Sequence, residues 1–204
     1  IVAAAYTFQK KAFMEKLICS KAVAYNNGTT IACLRLGNIL GSRGSVVPTF
    51  ISQAVAGEPL TVTEPNMTRF ILSIEEVLSL IVHAFRQMEN AEIIARKMSA
   101  CRMHDLALAI GRIFCPDSAY NINIVGVRPG EKEHEQLFTE EESRYIDDRE
   151  HYLHFKRKTN HCGLPIKKSL SSDAAVLNLP QLISYLKNTE YIRSMLKAHK
   201  SVRK

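Results

Sequence analysis

The stretch TTIACLRLGNILGSRGSVVPTF, residues 29–50, predicts a strand, a turn and the start of a helix in that order. Its first part is β-branched and then continuously apolar, which is typical of a parallel strand buried on both faces. Three glycines follow in GNILGSRG, where they allow positive φ angles and a close backbone approach to a ligand. A helix is predicted to begin near Val46 or Pro48, because proline is tolerated in the first turn. This order favours an α/β fold.

The segments on either side continue the alternation of strands and helices. Upstream, apolar residues recur at helical spacing over residues 7–25, and the NNG sequence at 26–28 ends that helix. Downstream, strands are predicted in EPLTVTEP, RFIL, AEIIARKM and YNINIVGV, and helices in SIEEVLSLIVHAF, RMHDLALAIGRIF and near residues 134–144 and 180–197. Such alternation predicts largely parallel sheets.

Composition limits the classes of function. Of the 204 residues, 46% are hydrophobic and 23% charged, as in a globular protein. No apolar run approaches the roughly 20 residues of a membrane span, so a cytoplasmic location without a membrane span is expected. Five dispersed cysteines without a C-x-x-C pair predict reduced thiols and no metal site. The net charge of +7 is concentrated in FKRKTNHCGLPIKK and KAHKSVRK, which predicts solvated surface and no nucleic-acid partner.

Three arginines occupy predicted turns beside strands. Arg43 lies in the glycine loop, Arg69 in TEPNMTRF, and Arg128 in VGVRPGEKEHE, where Glu131 follows a proline-glycine turn. Each arginine alone is compatible with an ordinary surface loop. Together they favour a phosphate-binding site, because guanidinium groups bind phosphate through two parallel hydrogen bonds.

Three segments in series, RLGNILGSRGSVVPTF, PLTVTEPNMTRFILSIEEV and GVRPGEKEHEQLFTEEE, resemble the second half of the UDP-N-acetylglucosamine 4,6-dehydratases. These enzymes belong to the polysaccharide biosynthesis branch of the extended short-chain dehydrogenases/reductases (SDRs). The resemblance covers about residues 10–190, including SSDAAVLNLPQLISYL. It implies the second half of an NAD(P)-binding Rossmann-like domain plus a small C-terminal α/β substrate-binding part. The predicted division is 1–115, with interleaved substrate-binding segments, and 116–204.

The resemblance also implies roles for individual residues. Arg43, Arg69 and Arg128 would face the diphosphate of a UDP-sugar, and Glu131 would hold a ribose hydroxyl or orient Arg128. The sugar and uridine site would be lined by Asn38, Val46, Val47 and Pro48. The cofactor would be NADP, with NAD as the alternative. The glycine-rich cofactor loop would lie upstream of Ile1, because no G-x-G-x-x-G occurs in this sequence.

The first residues, IVAAAYTFQKKAFMEKL, leave the catalytic register open. Tyr6 and Lys10 have the Tyr-x-x-x-Lys spacing of SDRs, which puts both side chains on one helix face to bind the cofactor and move a proton. KAFMEK, however, is similar to the family's K-A-x-M-E-K segment, which would make Lys11 the lysine of the catalytic helix and put Thr7 at the tyrosine position. A slip of one residue rotates a helix by about 100°, so the two registers exclude each other. Lys11 is slightly favoured.

The implied reaction of the parent enzyme, a lyase, oxidises C4 of the UDP-hexose, eliminates water across C5 and C6 and returns the hydride to C6. The alternatives are a UDP-sugar 4-epimerase or reductase of the same fold, or a non-catalytic remnant that retains only the substrate half. The apolar positions of residues 7–25 predict a homo-oligomer that packs through this helix.

Overall fold

A computed structural model describes residues 2–5, 10–24, 28–117, 119–156 and 170–202. The helices are α1 (Lys10–Ala24), α2 (Val46–Ala56), α3 (Ile74–Gln87), α4 (Met103–Phe114), α5 (Glu140–Ser143), α6 (Leu179–Asn188) and α7 (Glu190–Val202). The strands are β1 (Val2–Ala5), β2 (Ala32–Leu36), β3 (Asn38–Ile39), β4 (Leu60–Val62), β5 (Thr68–Leu72), β6 (Glu92–Arg96), β7 (Ser99–Arg102), β8 (Ile122–Ile124), β9 (Gln136–Phe138), β10 (Ile146–Arg149), β11 (Tyr152–Phe155) and β12 (Leu170–Ser171). A 3-10 turn covers Ser172–Ala175.

The chain forms two compact units, each assembled from three separate segments. Unit 1 contains Ile1–Gly37, Glu76–Met98 and Gln136–Ser171. Unit 2 contains Asn38–Glu75, Ser99–Glu135 and Ser172–Lys204. The division near residue 115 drawn from the sequence stays a prediction.

Unit 1 is built on a five-stranded sheet in the order β1-β2-β6-β11-β10. Strands β1, β2 and β6 are parallel, with Ala32 paired with Glu92 in the β2–β6 register. Strands β11 and β10 add to this sheet in antiparallel orientation. Every residue of β2 is buried and α1 packs against it, which is the environment expected for the continuous apolar run in the sequence.

One buried residue of β2 is charged. Arg35, only 3% exposed, donates from Nε and Nη2 to the two carboxylate oxygens of Glu15 at 2.9 and 2.6 Å. It also donates from Nη1 and Nη2 to Glu142 at 2.9 and 2.7 Å, and from Nη1 to the carbonyl of Leu137 at 2.8 Å. Its guanidinium lies 4.6 Å from the ring centroid of Phe138. These contacts join α1, β2 and the segment around β9 and α5.

A second buried polar group in unit 1 links α3, β6 and β11. Glu92 and His154 are both fully buried, and Glu92 Oε1 lies 2.8 Å from His154 Nδ1. His154 Nε2 shares a hydrogen bond of 2.7 Å with Nε2 of His83, whose ring stacks on Tyr152 with centroids 3.7 Å apart. Burial, the neighbouring His154 and the charge of Arg149 lower the pKa of His83, while Glu92 acts in the opposite direction.

Unit 2 contains a three-stranded sheet in the order β3-β5-β7 and a two-stranded parallel pair, β4-β8. Strand β3 runs parallel to β5, and β7 runs antiparallel to it. Helix α4 packs against α2 and α6, and α6 packs against α7. The apolar core between these elements includes the fully buried side chains Phe50, Leu60, Leu106, Ile110, Leu182 and Leu186.

The sequence expectation was wrong for residues 134–144. Instead of one helix, strand β9 pairs with β12, and the short helix α5 begins only after Thr139. Thr139 and Glu142 form a reciprocal capping box, with the Glu142 N–H donating to the threonine hydroxyl at 3.1 Å and the Thr139 N–H donating to the carboxylate at 3.0 Å. A helix start fixed there leaves Leu137 and Phe138 extended.

The expected helix at 180–197 is two helices, because Thr189 adopts an extended conformation between α6 and α7. Strands β7, β10 and β11 are antiparallel, so the sheets are less uniformly parallel than expected. The predicted α/β class is confirmed. Across the ranges described above, no helix is long and apolar enough to cross a membrane.

Candidate functional site

The predicted substrate residues lie in three regions of unit 2: the glycine loop with the flanking ends of β3 and α2, strand β5, and the loop between β8 and β9. The first is the glycine loop between β3 and α2, where Gly41 and Gly44 adopt φ angles of 76° and 75°. A Cβ built at Gly41 would lie 2.4 Å from the ring of Tyr191, so only glycine fits there without a shift of that ring. The loop so formed leaves the side chain of Arg43 exposed.

The residues flanking this loop differ in exposure. Asn38, the first residue of β3, is exposed, whereas Val47 is 2% exposed and belongs to the apolar core. Val46 and Pro48 remain partly accessible in the first turn of α2. Ser45 precedes this turn in extended conformation, and within the described residues its buried Oγ has no hydrogen-bond partner. The first N–H groups of a helix lack intrahelical acceptors and favour an anion, which makes this helix start a suitable place for a negatively charged group.

The second region is strand β5. Arg69 is the second residue of this strand, so its predicted place in a turn before the strand was wrong. The Arg69 side chain is held in a fixed position. Its Nη1 donates to the carbonyls of Thr68 and Glu133 at 2.8 and 3.2 Å. Its Nη2 lies 3.3 Å from Oε1 of Glu131, and its Nε lies 3.7 Å from Oε1 of Glu135. With a side chain 12% exposed, Arg69 is therefore oriented by two carboxylates and two carbonyls.

The third region is the loop between β8 and β9, which carries Arg128 and Glu131. Gly130 has a φ of 82°, and the Glu131 N–H donates to the Arg128 carbonyl at 3.0 Å, closing the turn that the proline-glycine sequence predicts. The Arg128 N–H donates to Glu131 Oε2 at 3.3 Å, while Oε1 of the same carboxylate faces Arg69. Glu131 thus links the Arg128 turn to Arg69, and the Arg128 side chain remains exposed. The predicted approach of Arg43 to this pair stays a prediction.

The sequence did not predict the residues that hold the Arg128 loop in place. The buried hydroxyls of Thr68 and Ser172 lie 2.6 Å apart, and Thr68 Oγ1 is also 2.9 Å from Nδ1 of His134. Ser172 Oγ accepts the N–H of Glu135 at 2.9 Å. These partners are up to 104 residues apart in the chain, so no local motif could have identified them.

Glu135 is the other residue that sequence reasoning missed. Its Oε2 accepts the Phe70 N–H at 3.3 Å, next to the guanidinium of Arg69. Burial raises the pKa of this carboxyl, and the positive charge of Arg69 partly counteracts the effect. Glu131 and Glu135 both balance the charge of Arg69.

Of the predicted catalytic residues, only Lys10 and Lys11 have a described backbone. Tyr6 and Thr7 lie outside the described residues. Lys10 and Lys11 are the first two residues of α1, but their side chains also lie outside the described part. The choice between the two catalytic registers therefore stays a prediction. Among the residues whose side chains are described, no group of three or more histidines, cysteines or carboxylates could hold a metal ion.

Comparison with solved structures defines the class of fold. The chain superposes on Pen from Bacillus thuringiensis with a TM-score of 0.76 and 27% identity, covering 88% of this chain and 56% of that one. It superposes on UDP-glucose 4-epimerase from Thermus thermophilus, solved in complex with NAD, with a TM-score of 0.51 and 20% identity over 60% of this chain and 42% of that one. The second similarity is one of fold. The architecture is the Rossmann-like α/β fold of the extended SDRs.

Sequence comparison identifies the family. The family described as polysaccharide biosynthesis protein matches residues 5–157. UDP-glucose 4-epimerase of Rickettsia massiliae (strain Mtu5) is 42% identical over 143 residues, which are 70% of this chain and 41% of that protein. The enzyme of the same name from Rickettsia typhi is 35% identical over 200 residues, 92% of this chain and 58% of that protein. The chain thus spans about half the length of the curated relatives it matches. It belongs to the polysaccharide biosynthesis protein family.

Proposed function

We propose that this chain supplies the substrate-binding segments of a nucleotide-sugar-modifying enzyme, and that the enzyme is a 4,6-dehydratase of the UDP-N-acetylglucosamine type. The observation that carries the proposal is the double contact of Glu131, which joins the Arg128 turn to the guanidinium of Arg69. Arg69 on β5 and Arg128 on the neighbouring turn suit a diphosphate, which guanidinium groups bind with two parallel hydrogen bonds. Family membership supports a role in polysaccharide biosynthesis.

In this proposal Arg128 provides the accessible guanidinium, because its side chain is exposed while Arg69 is almost enclosed. Arg43 would approach the diphosphate from the glycine loop. Asn38, Val46, Val47 and Pro48 would surround the sugar and the uridine, with Val47 acting through its backbone since its side chain is buried in the core. Glu131 would exchange Arg69 for a ribose hydroxyl when the ligand binds.

The proposed cofactor is NADP, with NAD as the alternative. When bound, a nicotinamide takes up a hydride from C4 of the sugar and later returns it. Lys11, or the pair Tyr6 and Lys10 in the other register, would hold the cofactor ribose and move the proton of the sugar hydroxyl. The sequence contains no G-x-G-x-x-G loop, so the residues proposed to contact such a cofactor are Tyr6, Lys10 and Lys11.

A second candidate is a UDP-sugar 4-epimerase. It is favoured by the name of the relatives that are 42% and 35% identical to this chain, both UDP-glucose 4-epimerases. An epimerase of this fold depends on the catalytic tyrosine, so it would require the register of Tyr6 and Lys10. The third candidate, a non-catalytic remnant, would bind the UDP-sugar without converting it.

Product analysis separates these candidates. An enzyme that joins this chain to a glycine-rich cofactor segment is incubated with NADP or NAD and either UDP-N-acetylglucosamine or UDP-glucose, and the products are examined by mass spectrometry and NMR. We expect UDP-N-acetylglucosamine to lose one water, as a dehydratase requires. A product of unchanged mass with an inverted C4 would identify an epimerase instead. Binding without conversion in either case would favour the remnant.

Calorimetric titration tests the diphosphate site independently of catalysis. Replacing Arg128 by lysine keeps the charge but loses the two-pronged geometry, so the affinity for UDP-sugar should fall about tenfold. The matched control is Arg112→Lys, a substitution at an exposed position on α4 of the same unit. Equal affinity in the two variants would remove Arg128 from the site.

Glu131→Gln examines the competition between the carboxylate and the ligand. Neutralising Glu131 removes one negative charge beside Arg69, so inorganic pyrophosphate should bind about fivefold more tightly, as expected for roughly 1 kcal/mol of Coulomb repulsion. UDP should gain less, because the variant also loses a carboxylate that would accept the ribose hydroxyl. Weaker binding of pyrophosphate by this variant would contradict the assignment of Arg69 to the diphosphate.

The proposed assembly is a homo-oligomer that packs through α1. Four apolar side chains of this helix are exposed in the single chain: Phe13, Met14, Leu17 and Val23. Analytical ultracentrifugation should show a dimer or larger species, and Phe13→Glu should shift it toward the monomer. A wild-type monomer at high concentration would exclude this arrangement.

A further inference from the structure

Two cysteines of unit 1 lie in contact although they come from different elements. Cys19 lies in α1 and Cys33 in β2, and the Cys19 thiol donates a hydrogen bond to Cys33 Sγ across 4.0 Å. Cys33 is 2% exposed, whereas Cys19 is only partly buried. One sulfur of the pair is therefore accessible to a small reagent, and the other is enclosed behind it.

The other described cysteines have a different environment. Cys101 is fully buried in unit 2, and burial raises its pKa to about 12. Cys115 is also buried and donates its S–H to the carbonyl of Ala54 at 3.3 Å. Both fit the ordinary role of cysteine as a small buried apolar side chain, and both are internal controls for the thiol pair.

The two sulfurs of the pair are chemically unequal. The hydrogen bond with Cys19, burial and the charge of Glu15 all raise the pKa of Cys33, and Arg35 only partly counteracts them. Cys33 therefore remains a thiol. Cys19 has the exposure that a nucleophile needs, and the thiolate is the nucleophilic form of cysteine.

We propose that Cys19 and Cys33 are a reversible oxidation site, which hydrogen peroxide or another hydroperoxide converts to an intramolecular disulfide. The Cys19 thiolate attacks a peroxide oxygen, so that an S–O bond forms, the O–O bond breaks and the departing hydroxide takes a proton to become water. The Cys33 sulfur then attacks the Cys19 sulfenic acid, forming the S–S bond and breaking the S–O bond. The Cys33 proton leaves with the second water, and the two sulfurs together give two electrons to the peroxide.

Formation of the bond requires the sulfurs to approach from 4.0 Å to about 2 Å. The disulfide would tie α1 to β2 and close the chain segment 20–32 into a loop. It lies beside the ion pair between Glu15 and Arg35, which joins the same helix to the same strand. Oxidation would thus fix the position of the helix whose first residues are Lys10 and Lys11.

Peptide mapping tests the proposal. The reduced full chain is exposed to hydrogen peroxide, alkylated, digested without reduction and examined by mass spectrometry. We expect a cross-linked peptide containing Cys19 and Cys33, lighter by two hydrogens than its reduced components and released by dithiothreitol. The expected thermal consequence is a higher melting temperature for the oxidised chain, because the cross-link constrains the unfolded chain. Absence of the cross-linked peptide would overturn the proposal, as would a dominant disulfide to Cys162, which lies outside the described residues.

Variants distinguish the two steps. In Cys33→Ser the sulfenic acid at Cys19 can no longer condense and should be trapped by dimedone, and Cys33→Ala serves the same purpose with an apolar side chain. In Cys19→Ser the loss of the Cys33 thiol on exposure to hydrogen peroxide should slow at least tenfold. Cys101→Ser and Cys115→Ser should leave the rate of cross-linking unchanged. Equal oxidation of Cys101 and Cys19 in the folded wild-type chain would show that the pair has no special reactivity.

Discussion

Arg35 gives the sharpest prediction for the stability of unit 1. In Arg35→Met the apolar stem is retained, but Glu15, only 6% exposed, loses both charge-assisted hydrogen bonds and remains as a buried carboxylate. Breaking a buried ion pair from one side costs about 3–5 kcal/mol, chiefly because the remaining charge has no partner. Glu142 and the carbonyl of Leu137 also lose the hydrogen bonds that Arg35 donates to them. We expect a loss of about 4 kcal/mol, a large part of the ~5–15 kcal/mol that stabilises a typical domain.

Urea unfolding followed by circular dichroism measures this loss. With a denaturant slope of about 2 kcal/mol per molar urea, the midpoint should fall by roughly 2 M. Arg86→Met, at an exposed position on α3, is the matched control and should change the free energy of unfolding by less than about 0.5 kcal/mol. Adding Glu15→Gln to Arg35→Met should recover part of the loss, because the orphan charge is removed. A loss below about 1 kcal/mol, or no recovery in the double variant, would refute the reasoning.

Two further predictions concern a turn and a titrating group. Gly41→Ala places a methyl group 2.4 Å from the ring of Tyr191, at a φ of 76°. Gly44→Ala meets only the φ cost of about 1–2 kcal/mol, because nothing lies within 4 Å of its Cβ. Gly41→Ala should therefore lower the free energy of unfolding by clearly more than Gly44→Ala in the same urea assay. Because the pKa of His83 is lowered on folding, its contribution to stability is fully present above the ordinary histidine pKa and is lost as the pH falls through the lowered value. His83→Gln, which can still donate to Nε2 of His154, should reduce the fall of unfolding free energy between pH 7 and 5.

The controls for these variants come from the same chain. His104, partly exposed on α4, is the matched histidine, and His104→Gln is the control variant in the same titration. Acid loss of stability from Glu142 is separate, because its pKa lies below the usual glutamate value: burial alone would raise it, but hydrogen bonds from Arg35 and Thr139 outweigh that effect. Its contribution is lost as the pH falls from the ordinary glutamate pKa through this lowered value. A profile for His83→Gln parallel to that of the wild type, or equal stability of the two glycine variants, would contradict the corresponding prediction.

The sequence predicted those features of the fold that depend on local patterns. The apolar run of β2, the turn at Gly130 and the helices α2, α3 and α4 each follow from spacing, turn residues or helix starts within a few residues. The error at 134–144 had a local cause as well, since the capping box of Thr139 competed with a longer helix and the apolar pair before it joined a strand.

The long-range features could not be predicted in this way. Nothing in the run of β2 indicates that Arg35 is buried with partners 20 and 107 residues away. For the candidate site, the sequence placed Arg69 and Arg128 beside strands, and the resemblance placed them in one site. The contact between β5 and the Arg128 turn depends on Glu131. The loop that carries Arg128 is held by Ser172, which lies 104 residues from its partner Thr68. Such pairings are set by topology, which a single sequence does not encode locally.

The interleaving of the two units has a consequence for synthesis on the ribosome. Strand β6 pairs on one side with β2, some 60 residues earlier in the chain, and on the other with β11, some 60 residues later. Unit 1 therefore cannot complete its sheet until β11 has emerged, and unit 2 lacks α6 and α7 until the last segment is made. Contacts between such distant residues require the closure of long loops, which costs entropy before the contacts form. This chain should therefore fold more slowly than a protein whose contacts are local, such as a pair of adjacent helices. In a nascent chain that ends near residue 115, β6 still lacks its partner β11 and α4 lacks its partner α6. Such chains expose apolar surface of both units and would need protection by chaperones.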